Sequence, residues 1–446
     1  MSRILEVAII GCGTVGGSTA TLLLEDRKQI AHRSGIDIQL SAIYTRDFTH
    51  ARELGLPEDL FETDLQKILS NPSIEVVVEL IGGTTDAREI IKKALRAGKH
   101  VVTANKALLA HHGDELWSEA RSNGVTIGFE ASTGGGIPII RAITDGLLAN
   151  RIDAVYGIVN GTSNYILTRM TNEGTIYSDA LAAAQADGLA EADPSLDVQG
   201  TDSAHKIAIM ASLAFGLKVD FDAIPVSGID TLESMDVTFG MDLGYVVKLL
   251  AVAHRTPQGV TLWVRPAFIS REHPLAWVSG PFNAVSVYGH ATGHTLYYGR
   301  GAGGHPTASA VISDIISIGL GTLPALFTHT GYWQDRNEDT RQVNVAQTES
   351  RFYIRIMAED QPGVLAEIAR IFGDHHISIA SMLQPEVTKE GEAVLVPIVI
   401  TTHVSKEQNL RDALKQVDAL SISGSRSVCI PIAQEHPEVF GKEIAE

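Results

Sequence analysis

Asp202 and Lys206 stand four residues apart in the run DVQGTDSAHKIAIMASLAFG (197–216), and no charged residue follows them until Lys218. An acid and an amine at i and i+4 share one face of a helix. On a solvated helix such a pair is worth only about 0.3–0.5 kcal/mol. This helix is instead apolar enough to lie in a core, where charges are costly unless paired. A desolvated lysine has a lowered pKa and suits proton transfer. Just upstream, GLAEADPSLD adds Glu191, Asp193 and Asp197. Such carboxylates could hold the ammonium of an amino-acid substrate while Lys206 serves as acid and base.

A second lysine, Lys106, opens a helix after the strand HVVTA, directly behind Asn105. The helix dipole disfavours a cation there, which favours a functional reason over a surface one. In open α/β sheets that strand end faces the ligand crevice. Asn160, Gly161 and Thr162 occupy a strand-to-helix junction whose backbone N–H groups suit a carboxylate, although Thr162 or Ser163 could simply cap the helix. FEASTGGGIPII sets Glu130 before Gly134, Gly135 and Gly136. Exposed carbonyls beside a carboxylate could take a hard monovalent cation; the same glycines could form a hinge.

Gly11, Gly13 and Gly16 spell G-x-G-x-x-G between a strand and a helix. The first glycine permits the turn, the second lets a pyrophosphate approach the backbone, and the third lets helix and strand pack closely. The second strand ends in IYTRD, so Arg46 follows a hydroxyl and precedes Asp47. Arg46 favours a 2′-phosphate and hence NADP, while Asp47 keeps NAD open.

The elements that must position these groups alternate strand and helix over residues 1–135, which predicts a Rossmann-type, doubly wound parallel sheet. Residues 136–330 read as a second, α+β unit for substrate binding and dimerisation. Its strands lie in DAVYGIVNGTSNYIL, DAIPVSGI, VTLWVRPAFIS, AVSVYGH and HTLYYGRGAGG, with helices at 138–149, 162–173, 177–187, 202–215 and 241–253. The helix 304–320 is expected to return to the first unit, and the polar stretch 331–350 reads as a linker. Residues 351–432 run βαββαβ, a ferredoxin-like split sheet with Asp360 as N-cap and Pro362 at the first helical position.

Bulk properties narrow the class. The 446 residues carry a net charge of -18 with no basic run, which argues against a nucleic-acid partner. Two cysteines, Cys12 and Cys429, make neither a disulfide framework nor a CxxC metal site. MSRILEVAII has too short an apolar run for a signal peptide, and no segment approaches about 18 apolar residues, so we expect no membrane partner and a cytoplasmic location.

Taken in order, GCGTVGG, TANKALLA, GGGIPII, NGTSNYIL, EADPSLDVQGTDSAHKIAIMASLAFG and GRGAGGHPTASAV resemble homoserine dehydrogenase. EDQPGVLAEIARIFGDHHISIASMLQ resembles an ACT domain, a small amino-acid-sensing module. The resemblance spans roughly residues 5 to 430 and is most specific at 188–216. It implies reversible reduction of L-aspartate 4-semialdehyde to L-homoserine with NADP or NAD, on the way to threonine, methionine and isoleucine. It implies Lys206 as acid/base, Asp202 as its orienting group and Lys106 as the group that polarises the carbonyl beside the cofactor. Glu191, Asp197, Gly161 and Thr162 would hold substrate; Gly11, Gly13, Thr14, Val15 and Gly16 would hold the cofactor, which Lys106 would also contact. Family members often bind a structural sodium ion, here matched by Glu130, Thr133, Gly135 and Ile137. The tail implies threonine as effector near Asp360, Gly363 and Val364, with a purely structural or dimerising role as the alternative. A homodimer or homotetramer is expected. The rival function is a non-catalytic dinucleotide and amino-acid sensor, which retention of both lysines argues against. An aldehyde-oxidising dehydrogenase needs a nucleophilic cysteine, and neither Cys12 nor Cys429 is placed for that.

Overall fold

Short runs of β-branched residues buried on both faces build the N-terminal sheet of the computed structural model, as expected for parallel strands covered by helices. The structure describes residues 3–331, 333, 340–385 and 395–437. Strands β1 (Arg3–Ile10), β2 (Ile36–Tyr44), β3 (Phe61–Glu62), β4 (Ile74–Glu79), β5 (His100–Thr103) and β6 (Ile127–Gly128) lie in the order β3-β2-β1-β4-β5-β6. All neighbours are parallel, and the order reverses between β1 and β4. The glycine loop leaves β1 at that switch point, where ligands bind in open α/β sheets. The helix Gly304–Leu320 packs on this unit: Val311, Ile315 and Ile318 share a core with Val7, Ile9 and Ile38.

The second sheet contains β7 (Ile152–Ile158), β8 (Tyr245–Thr256), β9 (Gly259–Ser270), β10 (Phe282–Gly289) and β11 (Gly293–Arg300). It continues without a break into β12 (Glu349–Glu359), β13 (Ile379–Leu383), β14 (Leu395–Thr402) and β16 (Val428–Ile432), while β15 (Ser405–Lys406) pairs with β12. The order is β11-β10-β7-β8-β9-β16-β12-β14-β13. The seam is the parallel contact of β9 with β16, where Ile432 faces Phe268 and the Ala433 N–H donates to the Phe268 carbonyl at 2.8 Å. Two buried ion pairs flank it. Arg355 on β12 grips Asp236 through two N–H donors at 2.7 and 2.9 Å, and Arg265 on β9 grips Glu407 at 2.9 and 2.8 Å.

Several expectations need correction. The stretch 241–253 is strand β8, not a helix. The run YVVKLLAVAH is buried on both faces, so it shows neither alternation nor a polar helical stripe, and such runs are ambiguous by periodicity. DAIPVSGI is not a regular strand: it is a single turn (Phe221–Ala223) plus one bridge from Val226 to Val264. The helix at 138–149 shortens to Ile139–Arg141 followed by a π segment, Ala142–Gly146. The tail helix begins at Val364, not Pro362, because Gly363 precedes it at φ +97, a conformation that the helix cannot include. Trp333, inside the supposed linker, is buried among Trp117, Phe129 and Phe327. Among the described residues no single helix is long and apolar enough to cross a membrane.

Candidate active site

Gly200, at φ +88, turns the chain into the helix Thr201–Phe215, whose whole length is wedged against β7, β8 and β9. That burial carries Asp202 and Lys206 inward, each 7% exposed. The Lys206 Nζ donates to the Asp202 carboxylate at 2.7 Å and to the Val159 carbonyl at 2.6 Å. An ammonium has three N–H donors, so one is left for a ligand. The other Asp202 oxygen lies 3.1 Å from the Nζ of Lys106, whose side chain is 39% exposed. Lys106 comes from the opposite domain, on a helix capped by Asn105 accepting from the Leu108 N–H. The carboxylate thus ties together amines from both sides of the cleft.

Asn160 completes the cluster. Its Nδ2 donates to Asp197 at 2.7 Å and to Asp202 at 2.9 Å, while its Oδ1 accepts from the Ser163 N–H at 2.8 Å. Asn160, rather than Thr162 or Ser163, therefore caps the helix Gly161–Glu173. The Thr162 hydroxyl donates to the Leu189 carbonyl at 2.7 Å, closing the substrate loop against this turn. Glu191 sits two residues further along that loop, exposed, at the rim. Sequence reasoning noticed Asn160 but did not place it in the site; nothing in the sequence marks the Val159 carbonyl.

Burial alone would push the Asp202 carboxyl up, but Lys206 and then Lys106 outweigh it and hold it well below the usual range. Burial pulls the Lys206 ammonium below its ordinary value; Asp202 opposes this and Lys106 adds to it. Burial raises Asp197, against the Asn160 hydrogen bond. Next to Lys206, burial and then His111 hold the His205 imidazole at about 4, leaving it neutral. Its ring stacks on Phe221 at 4.8 Å and meets the edge of His111, from the Lys106 helix, at 5.5 Å.

The glycine loop fits a dinucleotide. A Cβ on Gly16 would fall 1.9 Å from the Gly11 carbonyl oxygen, and one on Gly11 would meet the Leu80 backbone at 2.6 Å. Gly13 faces open space, with Thr14 and Val15 opening a helix that no side chain caps, so its N–H groups are free for a diphosphate. Arg46 lies beyond the end of β2, exposed, with its guanidinium 2.6 Å from Asp86. The Asp47 carboxylate instead accepts the N–H and hydroxyl of Thr49 at 2.8 and 2.7 Å.

In the second glycine cluster the Glu130 carboxylate is already engaged by the N–H groups of Ile140 and Arg141 at 2.9 and 2.8 Å. Gly134 and Gly135 adopt φ +78 and +53, and Gly135 presses against the Gly301 backbone. The buried carbonyls of Thr133 and Gly135 receive no hydrogen bond from the described residues, whereas those of Glu130 and Ile137 accept from Thr133 and Ile139. Far from this site, Asp360, Gly363 and Val364 line a cavity of about 320 Å³ with Gln384 and Ile398. The Gln384 amide donates to Asp360 at 3.2 Å.

Comparison with known proteins follows the same division. Residues 11–130 match the homoserine dehydrogenase NAD-binding domain, 138–316 the homoserine dehydrogenase domain, and 352–421 the ACT domain. Homoserine dehydrogenase of Pseudomonas aeruginosa is 44% identical over 424 residues, covering 94% of this chain and 97% of that protein. The crystal structure of a homoserine dehydrogenase from Thiobacillus denitrificans superposes with a TM-score of 0.90 at 40% identity, over 97% of this chain and 99% of that one. A hyperthermophilic archaeal homoserine dehydrogenase mutant in complex with NADPH gives a TM-score of 0.60 at 27% identity, over 71% of this chain and 98% of that one.

Proposed function

The chain belongs to the homoserine dehydrogenase family and is an NAD(P)-dependent oxidoreductase, and from that premise we propose how its residues carry the interconversion of L-aspartate 4-semialdehyde and L-homoserine. Bound NAD(P)H supplies the hydride. Lys206 holds a proton on Nζ and gives it to the aldehyde oxygen; in the reverse direction neutral Lys206 takes it from the alcohol. Asp202, kept ionised by two amines, fixes the Lys206 rotamer. Lys106 reaches the same oxygen from the cofactor side and polarises the carbonyl. Asp197 and Glu191 take the substrate ammonium, and the free N–H groups at Gly161 and Thr162 take its carboxylate. The observation that carries this reading is the buried Asp202–Lys206 pair met by Lys106 across the cleft.

Arg46 supports a preference for NADP: its guanidinium stands exposed just past β2, whereas one oxygen of the Asp47 carboxylate is taken up by Thr49. Arg46→Ala is expected to raise the KM for NADP+ about tenfold and leave that for NAD+ unchanged, which steady-state kinetics would read. The unpartnered Thr133 and Gly135 carbonyls, with those of Glu130 and Ile137, support a structural sodium ion bound through backbone oxygens. The tail cavity supports threonine as feedback effector. The outer strands β11 and β13, each with one edge unpaired among the described residues, support a homodimer or homotetramer, and the two free cysteines support a cytoplasmic location.

The deciding measurement is the initial rate of NADP+ and NAD+ reduction with L-homoserine, across pH, with and without L-threonine. Oxidation needs neutral Lys206, so its rate should rise with pH through a pKa below the ordinary lysine value of about 10.4, while aldehyde reduction falls. Suppression by threonine supports the sensor; a threonine-independent rate leaves the tail structural. No rate with either cofactor overturns the catalytic assignment.

A further inference from the structure

We propose that Lys248 is a positioning residue for the substrate site, pinning the loop 278–282 against the turn that receives the substrate carboxylate. The inference rests on the placement of that carboxylate at Gly161 and Thr162.

Lys248 is the fourth residue of β8 and is 2% exposed. Among the described residues no carboxylate partners it, and burial brings its pKa down to about 8. An ammonium buried this way costs several kcal/mol, and a hydrophobic residue of equal volume often serves stability as well or better. The charge therefore needs a reason beyond filling space, and its two contacts supply one. The Nζ donates to the Val278 carbonyl at 2.6 Å and to the Asn164 Oδ1 at 3.3 Å.

Asn164, also buried, extends the grip. Its Nδ2 reaches the carbonyls of Val278, Gly280 and Phe282 at 3.2, 2.9 and 3.1 Å. One turn on, the Thr168 hydroxyl accepts the Gly280 N–H at 3.0 Å. The loop is thus fastened at alternate residues, Val278, Gly280 and Phe282, to Lys248 and to one face of the helix Gly161–Glu173. The Pro281 carbonyl of the same loop sits where a Cβ on Gly161 would come within 2.8 Å of it. The loop backbone is a wall against the first residue of the substrate helix, and Lys248 sets how closely that wall stands. Lys248 also places a cation on the same side of the helix as Asn164, three residues past Gly161, which adds positive potential beneath an anion-binding helix end.

Two variants separate positioning from folding. Lys248→Met removes the pin from within the core. Gly280→Ala strains the loop alone, since Gly280 adopts φ +65 and its added Cβ would touch nothing. Each full-length variant is assayed with L-homoserine, with 3-amino-1-propanol (the same alcohol without the carboxylate) and with varied NADP+, alongside a melting curve. Both should raise the KM for homoserine about tenfold, leave kcat and the cofactor KM within about twofold, and shrink the preference for homoserine over the decarboxylated alcohol by a similar factor. A homoserine KM within twofold of the parent in both variants overturns the proposal. So does a loss in which every parameter and the Tm fall together with the preference intact. The parent enzyme separates the premise from the inference: if it shows no preference for the carboxylate-bearing alcohol, the carboxylate site itself is misplaced.

Discussion

Replacing Lys206 by Met is expected to lower turnover roughly a thousandfold while leaving NADPH affinity unchanged. A positioned acid/base contributes about 10²–10⁴-fold. Here the same residue also neutralises Asp202, so its loss leaves that carboxylate with the Asn160 amide at 2.9 Å and the Lys106 ammonium at 3.1 Å. Lys106 is then drawn into structural pairing and away from the carbonyl. The glycine loop that would hold the diphosphate lies on a separate strand-to-helix turn with no contact to Lys206, so a fluorescence titration with NADPH should give the parental Kd. The rate is best read in a single turnover, which removes product release from the comparison. Turnover within tenfold of the parent would sink the assigned role. Because a buried ion is being left with fewer partners, a lowered Tm is expected too; intact cofactor binding distinguishes catalysis from collapse.

Arg355→Leu should destabilise the chain by about 3–5 kcal/mol, the usual cost of leaving one member of a buried pair uncompensated. Asp236 is fully buried, and after the substitution only the Tyr353 hydroxyl, at 2.9 Å, would still donate to it among the described residues. Glu233, which also faces Arg355 at 2.9 Å, is more exposed and can turn to water. The companion variant Arg355→Leu/Asp236→Leu should recover much of the loss, since two apolar side chains can replace a buried pair at little cost. Denaturant unfolding of the single and double variants measures both. Equal losses in the two would mean that packing, not charge, holds the joint. Asp236 sits on the helix Ser234–Asp242, and the Ser234 hydroxyl of that helix bonds the Thr175 carbonyl just past the substrate helix. The joint that this experiment loosens therefore connects the tail to the far end of the helix whose first residues form the substrate turn.

What could be read from the chain alone depended on how local the cause was. The glycine loop and the Asp202–Lys206 pair are written within a few residues, so both the turn chemistry and the shared helical face are visible without a fold. Lys106 was visible for a related reason: a cation at a helix start contradicts the local field. Strand β8 was misread because a strand buried on both faces loses the period that would identify it, and Lys248 was not singled out. The Arg355–Asp236 pair links residues 119 apart and has no local signature at all. Asn160 is an intermediate case. Its capping role is local, but its grip on two acids depends on where another helix begins.

The unbroken sheet has two ends, and that bears on symmetry. Among the described residues, β11 and β13 each leave one edge unpaired, and each exposes large apolar side chains: Leu296 and Tyr298 on β11, Met382 and Leu383 on β13. An antiparallel edge that meets its own copy does so about a two-fold axis. A twist of roughly 20–25° between neighbouring strands accumulates along the sheet, so axes at its two ends cannot be parallel by default. Two such axes on one rigid body generate a closed ring only at special angles, and otherwise an open ribbon. Pairing at β11 would join catalytic halves, and pairing at β13 would join regulatory ones. The contact made at one end of the sheet thus restricts which closed assemblies the other end can complete.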